Sequence, residues 1–138
     1  MNLKVITPRK LTLEREVVSI TVPSASGEIT ILKNHANLFS LLKEGIITIR
    51  TEKDEEEYMA IGGGYLETDG KHISILVSRA YNQEQIDEDQ TKKAIEDAEK
   101  LLADAKDKTE RSEATALLRR SLLDTKLLQK VRRRKQPH

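Results

Sequence analysis

The 138-residue sequence has no cysteine and no tryptophan, and its aromatic residues amount to three tyrosines and one phenylalanine. Without cysteine the chain can form neither disulfides nor thiolate metal sites, and it suits a reducing compartment. The few aromatic residues are too scattered to provide the base-stacking platforms that many RNA-binding proteins use. A chain of this length therefore depends on a modest aliphatic core, enough for one ordinary domain and a small appendage.

Long apolar runs are also missing, so the sequence predicts no segment that spans a bilayer. Residues 1–4 lead directly into an alternating pattern, unlike the apolar core of a signal peptide or the composition of a transit sequence. We therefore expect the mature protein to start near Met1 and to reside in a cytosol-like compartment.

Motifs that carry catalysis are absent as well. The Gly62-Gly63-Gly64 run is not followed by Gly-Lys-Ser/Thr, and its flanks read as strands, so a bulge or a close backbone contact explains it better than a phosphate loop. The three histidines lack the spacing of metal ligands, and no serine nucleophile elbow is present. We predict no catalytic residue, no metal site and no cofactor.

The first half of the chain contains short β-branched segments with period-two alternation, as in Ile47 and Ile49, separated by Pro, Gly, Asn and Asp. The predicted strands lie within residues 3–7, 17–22, 28–32, 45–50, 58–68 and 72–77. Turn signals at this spacing are typical of an antiparallel sandwich or barrel.

After residue 81 the pattern becomes helical. Asp87 and Gln90 resemble a capping box, which predicts a helix from there to about Lys106. A polar break follows, with Thr109 or Ser112 available as the cap of a second helix. Two apolar stripes joined by a short polar link predict an antiparallel helical hairpin.

Both stripes are narrow and rich in small residues. The first stripe is Ala94, Ile95, Ala98, Leu101, Leu102 and Ala105. The second is Ala114, Leu117, Leu118, Ser121, Leu122, Leu128 and Val131. Small side chains bury little apolar area, so we expect the hairpin to be the weaker module and able to detach. The predicted fold is α+β, with an antiparallel β-sandwich in residues 1–81 and a two-helix hairpin in residues 82–138.

Positive charge is concentrated in the last helix, although the net charge of the whole chain is only +1. The cations are Arg119, Arg120, Lys126, Lys130, Arg132, Arg133, Arg134 and Lys135, opposed within their span only by Asp124. Such a surface can bind nucleic acid, an anionic membrane or an acidic protein. It can also be a solvated helix end that is favoured by the helix dipole.

Several motifs in order resemble the epsilon subunit of F-type ATP synthases. They are SGEITILKNHANLFSLLKEGIITIR, IGGGYLET, ISILVSRA, IDEDQTKKAIEDAEKLL and ALLRRS, and the resemblance extends over nearly the whole chain. The resemblance implies a β-sandwich at the foot of the rotating central stalk, bound to the gamma subunit and the c-ring. It also implies a hairpin that either folds on the sandwich or extends into the catalytic head of alpha and beta subunits and obstructs rotation.

The resemblance also suggests roles for individual residues. Glu28, Asn34 and His35 match loop positions that dock on the c-ring and the base of gamma, and we expect them at one end of the strands. The helix cations from Arg119 to Arg134 would contact the catalytic head. The complex would lie on the cytoplasmic face of a bacterial plasma membrane, or the equivalent thylakoid face, with membrane contact only through the complex.

One family motif departs from its pattern. Members that bind regulatory ATP have Ile/Leu-Asp-x-x-Arg-Ala at the start of the first helix. Here Ile86 and Asp87 are followed by Gln90 and Thr91 in place of Arg and Ala. Added acids at this point repel phosphate, so we predict no nucleotide site and keep Asp87 as a helix cap.

The leading hypothesis is thus a non-catalytic stalk subunit that couples rotation to synthesis and restrains hydrolysis, without a nucleic-acid partner. The alternative is a nucleic-acid-binding protein that uses the basic terminal helix, which the near-neutral charge and missing stacking residues disfavour. A small sandwich enzyme ranks third, because no acid, base or nucleophile set is present.

Overall fold

The computed structural model describes residues 1–135, with side chains for residues 1–134. The chain separates into two compact units, Met1–Asn82 and Gln83–His138, and this division lies one residue after the expected one. Strands fill the first unit and helices fill the described part of the second, which confirms the predicted α+β class.

The first unit, all of whose residues are described, consists of ten strands. They are β1 (Asn2–Ile6), β2 (Leu11–Glu16), β3 (Ser19–Ser24), β4 (Gly27–Leu32), β5 (Leu38–Leu42), β6 (Gly45–Arg50), β7 (Glu56–Ile61), β8 (Gly64–Thr68), β9 (His72–Val77) and β10 (Ala80–Tyr81). Their order is β10-β7-β6-β3-β5-β8-β9-β1-β2, with β4 paired to β3 outside this path.

One strand pair departs from the expected antiparallel sandwich. β1 runs parallel to β9, with Leu3 opposite Ile73 and Val5 opposite Ile75, whereas the other pairs within residues 1–82 are antiparallel. Parallel neighbours require a long connection, and here the chain from β2 to β8 supplies it. The N-terminal strand thereby ties the two ends of the first unit together.

Three strands were missing from the sequence prediction: β2, β5 and the two-residue β10. β2 alternates weakly and lies mostly exposed or half-buried, because it pairs with β1 alone. β5 has the sequence LFSLL, in which Phe39 and Leu41 are exposed while Leu42 is buried. Its apolar residues therefore occupy both faces, so no period-two signal marks the strand.

The core of the first unit is almost entirely aliphatic. Its largest fully buried side chains are Leu3, Val5, Val17, Ile20, Ile31, Ile47, Ile49, Ile61, Leu66, Ile73 and Ile75. The glycine run separates β7 from β8, and a Cβ on Gly64 would lie 2.0 Å from the carbonyl oxygen of Leu76. The predicted close backbone contact is thus confirmed at Gly64.

The second unit begins with a 3-10 turn, Gln83–Gln85, followed by helix α1 (Glu88–Asp104) and helix α2 (Lys108–Lys135), which pack against each other. Asp87 caps α1 as predicted, because its carboxylate accepts a hydrogen bond from the Gln90 amide at 2.9 Å. The prediction for the second cap was wrong. Asp107 accepts from the Glu110 amide at 2.8 Å, and both Thr109 and Ser112 lie inside α2.

The apolar stripes are partly as expected. Ala98, Ala114, Ser121 and Val131 are buried, but Leu101, Leu117 and Leu122 are 56%, 38% and 50% exposed. Leu127, which the pattern omitted, is 0% exposed. Consecutive residues of a helix point in directions about 100° apart. Which of two adjacent leucines is buried therefore depends on the position of the partner helix.

Candidate docking surfaces

The expected docking residues lie at opposite ends of β4. Glu28 follows the turn that joins β3 to β4, whereas Asn34 and His35 come after the strand has ended at Leu32. All three side chains are exposed. The expectation that they share one end of the strands is therefore wrong, because an extended strand of six residues carries the chain about 20 Å.

The Asn34–His35 loop rests on the turn between β8 and β9. Asn34 adopts a left-handed backbone conformation with φ of 67°, and its amide donates to the carbonyl oxygen of Gly70 at 3.0 Å. His35 Nδ1 lies 2.7 Å from the carbonyl oxygen of Ala36. A Cβ on Gly70 would approach the His35 carbonyl oxygen to 2.7 Å, so the two loops are closely packed.

Asp69 holds the β8–β9 turn in place. Its Oδ1 accepts hydrogen bonds from the amides of Lys71 at 2.9 Å and His72 at 2.8 Å. These backbone bonds, with a further contact to the His72 ring, lower the pKa of Asp69 from 3.8 to about 2. The carboxylate is therefore charged at neutral pH and supports the turn under the Asn34–His35 loop.

An apolar row crosses the solvent-facing side of four strands, and we call it the outer row. Strand register places Leu41 of β5 opposite Tyr65 of β8, Tyr65 opposite Leu76 of β9, and Leu76 opposite Ile6 of β1. Phe39 extends the row on β5 and stacks on Tyr65 with ring centroids 5.2 Å apart. Phe39 and Leu41 are 60% and 59% exposed, which is unusual for large apolar side chains placed side by side.

A hollow of about 410 Å³ adjoins the outer row. Its lining is Ile6, Thr7, Pro8, Gly63, Gly64, Tyr65, Leu76, Val77 and Ser78. The hollow and the row together make a shaped apolar surface. Such surfaces usually mark a protein interface.

Sequence reasoning missed the outer row, although a signal was present. An antiparallel sheet with one solvated face normally alternates apolar and polar residues, whereas β5 carries large apolar residues at adjacent positions. Had LFSLL been assigned as a strand, its apolar residues on both faces would have predicted a covered outer surface.

The cations of α2 are spread along one long helix. Arg119, Arg120, Lys126, Arg133 and Arg134 are exposed, and Lys130 is half-buried. Arg132 contacts Glu88 at 2.5 Å. The side chain of Lys135 lies outside the described residues. At a rise of 1.5 Å per residue, the cations from Arg119 to Arg134 cover about 22 Å of helix.

The residues of the altered nucleotide motif are used in helix capping. The Asp87 side chain accepts from the Gln90 amide, and the buried Thr91 hydroxyl donates to the Asp87 carbonyl oxygen at 2.8 Å. Glu88 is paired with Arg132. The capping residues Asp87, Gln90 and Thr91 carry no positive charge, and the first cations of α1 are Lys92 and Lys93.

The described residues contain no group of three or more His, Asp or Glu side chains placed to share a metal ion. Among the same residues, no helix has the length and apolar character needed to cross a membrane.

A family comparison accounts for the sandwich. Residues 1–83 match the family described as ATP synthase, Delta/Epsilon chain, beta-sandwich domain. This chain belongs to that family. The ATP synthase epsilon chain of Moorella thermoacetica is 34% identical over 88% of this chain and 91% of its own length. The chloroplastic epsilon chain of Pelargonium hortorum is 30% identical over 95% of this chain and 98% of its own length.

Solved structures share the fold of this epsilon-family chain. A chain in the Euglena gracilis mitochondrial ATP synthase, in an assembly described as OSCP/F1/c-ring, superposes with a TM-score of 0.75 at 24% identity, covering 84% of this chain and 73% of that one. A chain from the Tetrahymena thermophila mitochondrial ATP synthase central stalk and c-ring superposes with a TM-score of 0.63 at 19% identity. The superposition covers 91% of this chain and 94% of that one. The resemblance to an epsilon subunit inferred from the sequence is therefore confirmed.

Proposed function

We propose that this chain is a non-catalytic subunit of the central stalk of an F-type ATP synthase, with a sandwich that docks on the rotor and a hairpin that restrains ATP hydrolysis. The observation that carries the proposal is the outer row, an exposed apolar surface on a chain whose relatives are epsilon chains. One matched structure is described as a central stalk with its c-ring, which supports this placement.

The outer row is the surface for the gamma subunit. Phe39, Leu41 and Tyr65 form its centre, and the hollow beside Ile6 and Leu76 can receive side chains of a partner. Burial of one large apolar side chain contributes about 1.5–3 kcal/mol, so a few such contacts can support a stable interface. A subunit that must turn with the rotor requires an interface of this kind.

The separation of Glu28 from His35 supports different partners for the two residues. Glu28, beside the β3–β4 turn, is proposed to face the polar loops of the c-ring. Asn34 and His35, on the loop held by Gly70, are proposed to face the base of gamma.

The cations of α2 are the proposed contact with the catalytic head of alpha and beta subunits. Exposed ion pairs contribute only about 0–1 kcal/mol each, so one pair would not hold a rotor. Several pairs along about 22 Å of helix can together favour an engaged state. The complex would place the chain at the surface of an energy-coupling membrane, without membrane contact of its own.

Docking can be tested with two matched substitutions. Leu41→Gln changes a 59% exposed residue in the outer row, and Leu101→Gln changes a 56% exposed residue on α1. The assay measures binding of each full-length variant to ATP synthase from which the native subunit has been stripped. We expect Leu41→Gln to raise Kd about tenfold, equivalent to about 1.4 kcal/mol, because it removes a central apolar contact.

Leu101→Gln should change Kd less than twofold, because α1 takes no part in the proposed rotor contact. Both variants must first show unchanged thermal unfolding. Equal affinity of Leu41→Gln and the unsubstituted chain would show that the outer row is not the docking surface. Retention on heparin or RNA without binding to the stripped enzyme would instead favour the nucleic-acid alternative.

A further inference from the structure

The two helices of the second unit carry opposite charge where the hairpin closes. The first turn of α1 contains Glu88 and Asp89 after the capping Asp87, and the last turns of α2 contain Arg132 and Arg133. Each cluster is favourable for its own helix dipole, since acids stabilise an N-terminus and cations a C-terminus. Antiparallel packing brings these two ends to the same side of the hairpin.

A specific ion pair joins them. Arg132 Nη2 donates to Glu88 Oε2 at 2.5 Å, between residues 44 positions apart in the sequence. Helical side chains lean toward the N-terminus of their own helix, so Arg132 on the long helix α2 points back toward the start of α1. The hydrogen bond from Arg132 lowers the pKa of Glu88, so this carboxylate is charged at neutral pH.

Part of the helix seam buries little apolar area, although the larger Leu127 and Val131 of α2 are buried as well. Thr91 and Ser121 are equally far in sequence from Lys106 in the link, and so are Ala98 and Ala114. All four are buried, and all are small. Facing pairs of small residues allow close packing but remove little apolar area from water. A modest polar contact therefore has a measurable share in the balance between closed and open hairpins.

We propose that the Glu88–Arg132 pair is a latch that keeps the hairpin closed and holds back a cation from any external acidic partner. The latch should operate in the isolated chain, without any partner. Its role in regulating ATP hydrolysis rests on the function proposed above. Opening exchanges one internal acidic partner for an external one, so the two states compete for the same Arg132 guanidinium. Low ionic strength strengthens the pair, and salt weakens it, because both side chains are partly exposed.

The test uses a single buried thiol in the full-length chain. Ser121 is 5% exposed, the chain has no other cysteine, and Ser121→Cys nearly preserves shape. The rate at which a thiol reagent modifies this cysteine is proportional to the open fraction when opening and closing are fast. At low salt we expect Glu88→Gln in this background to react about two- to fivefold faster than the parent.

The matched control is Glu96→Gln, an exposed acid on the same helix, which should leave the rate unchanged. Arg132→Gln should reproduce the effect of Glu88→Gln, and the double variant Glu88→Gln with Arg132→Gln should react no faster than either single variant, because each single change already removes the pair. In 1 M salt the difference between Glu88→Gln and the parent should disappear. Unfolding monitored by circular dichroism confirms that each variant is folded under the assay conditions.

The latch is refuted if Glu88→Gln reacts at the parent rate at low salt, or if Glu96→Gln accelerates the reaction equally. It is also refuted if the effects of Glu88→Gln and Arg132→Gln multiply in the double variant, because independent effects would mean that the two residues are not coupled. These outcomes concern the isolated chain and do not depend on the ATP synthase. If the latch behaves as proposed but its loss leaves ATP hydrolysis by the assembled enzyme unchanged, the regulatory function fails and the latch stands.

Discussion

Alanine substitutions in the glycine run between β7 and β8 should differ in their effect on stability, because the three adjacent glycines have different surroundings. A Cβ on Gly64 would lie 2.0 Å from the Leu76 carbonyl oxygen and 2.8 Å from Val77 Cα. A Cβ on Gly63 would meet only the Leu42 carbonyl oxygen, at 3.6 Å. A Cβ on Gly62 would lie 2.1 Å from Ser78 Oγ. The same change to alanine should therefore have three different effects.

The magnitudes follow from what must move. At Gly64 the contact falls about 1.4 Å short of ordinary van der Waals distance, and the atoms belong to the β9 backbone. Separation of β8 from β9 would disturb the core beneath, so we expect Gly64→Ala to destabilise the sandwich by about 3 kcal/mol. At Gly62 the obstacle includes a side chain that can rotate, and we expect about 1 kcal/mol. Gly63→Ala should lie within about 1 kcal/mol of neutral.

Urea unfolding of the full-length variants measures these differences, with a probe that reports on strands. For a sandwich of this size, about 3 kcal/mol corresponds to a fall in Tm of roughly 12–24 °C. Destabilisation by alanine should increase from Gly63 to Gly62 to Gly64. Equal stability of Gly64→Ala and Gly63→Ala would show that the β9 backbone does not approach Gly64 closely.

Three further predictions concern a helix cap, the Asp69 carboxylate and nucleotide binding. Asp107→Ala removes the cap of α2 and should destabilise the hairpin by about 1 kcal/mol, measured by urea unfolding followed through helix signal, whereas Thr109→Ala should have little effect. Asp69 has a pKa below its ordinary value, so its contribution is complete above pH 4 and is lost as the pH falls toward 2. The Tm difference between the parent and Asp69→Asn should shrink over that range, and a constant difference would contradict the assignment. Calorimetry with MgATP should show no micromolar binding, and Gln90→Arg with Thr91→Ala should strengthen any residual affinity.

The division into a strand half and a helix half was predictable, because the period of the apolar pattern changes from two to about 3.6 near residue 81. The Asp87 cap was predictable for a similar reason, since a capping signal is local in sequence. Resemblance to the family supplied the proposed partners, which no periodicity could provide.

The rest depends on contacts that are distant in sequence. The parallel pairing of β1 with β9 follows from where the N-terminus inserts into the sheet, which no local pattern encodes. The exposure of Leu101 and the burial of Leu127 depend on how the helices are rotated against their neighbours. The cap of α2 was expected at Thr109 or Ser112 because the helix start was placed too late, and the true cap, Asp107, belongs to the polar break.

The most direct test of the proposed function compares three chains in ATP synthase that lacks its own subunit: the intact chain, a chain ending at Asn82, and a full-length variant with neutralised cations. The variant carries Gln at Arg119, Arg120, Lys126, Lys130, Arg133 and Arg134, and it keeps Arg132 so that the pair with Glu88 remains. The measured quantities are ATP hydrolysis and proton-driven ATP synthesis.

We predict that all three chains restore coupled synthesis, because each contains the complete sandwich with its outer row. Hydrolysis should be slowest with the intact chain and about tenfold faster with the chain ending at Asn82, with the neutralised variant close to the shorter chain, as expected if several ion pairs act together. Equal hydrolysis with all three chains, together with normal coupled synthesis, would contradict a restraining role for the cationic helix.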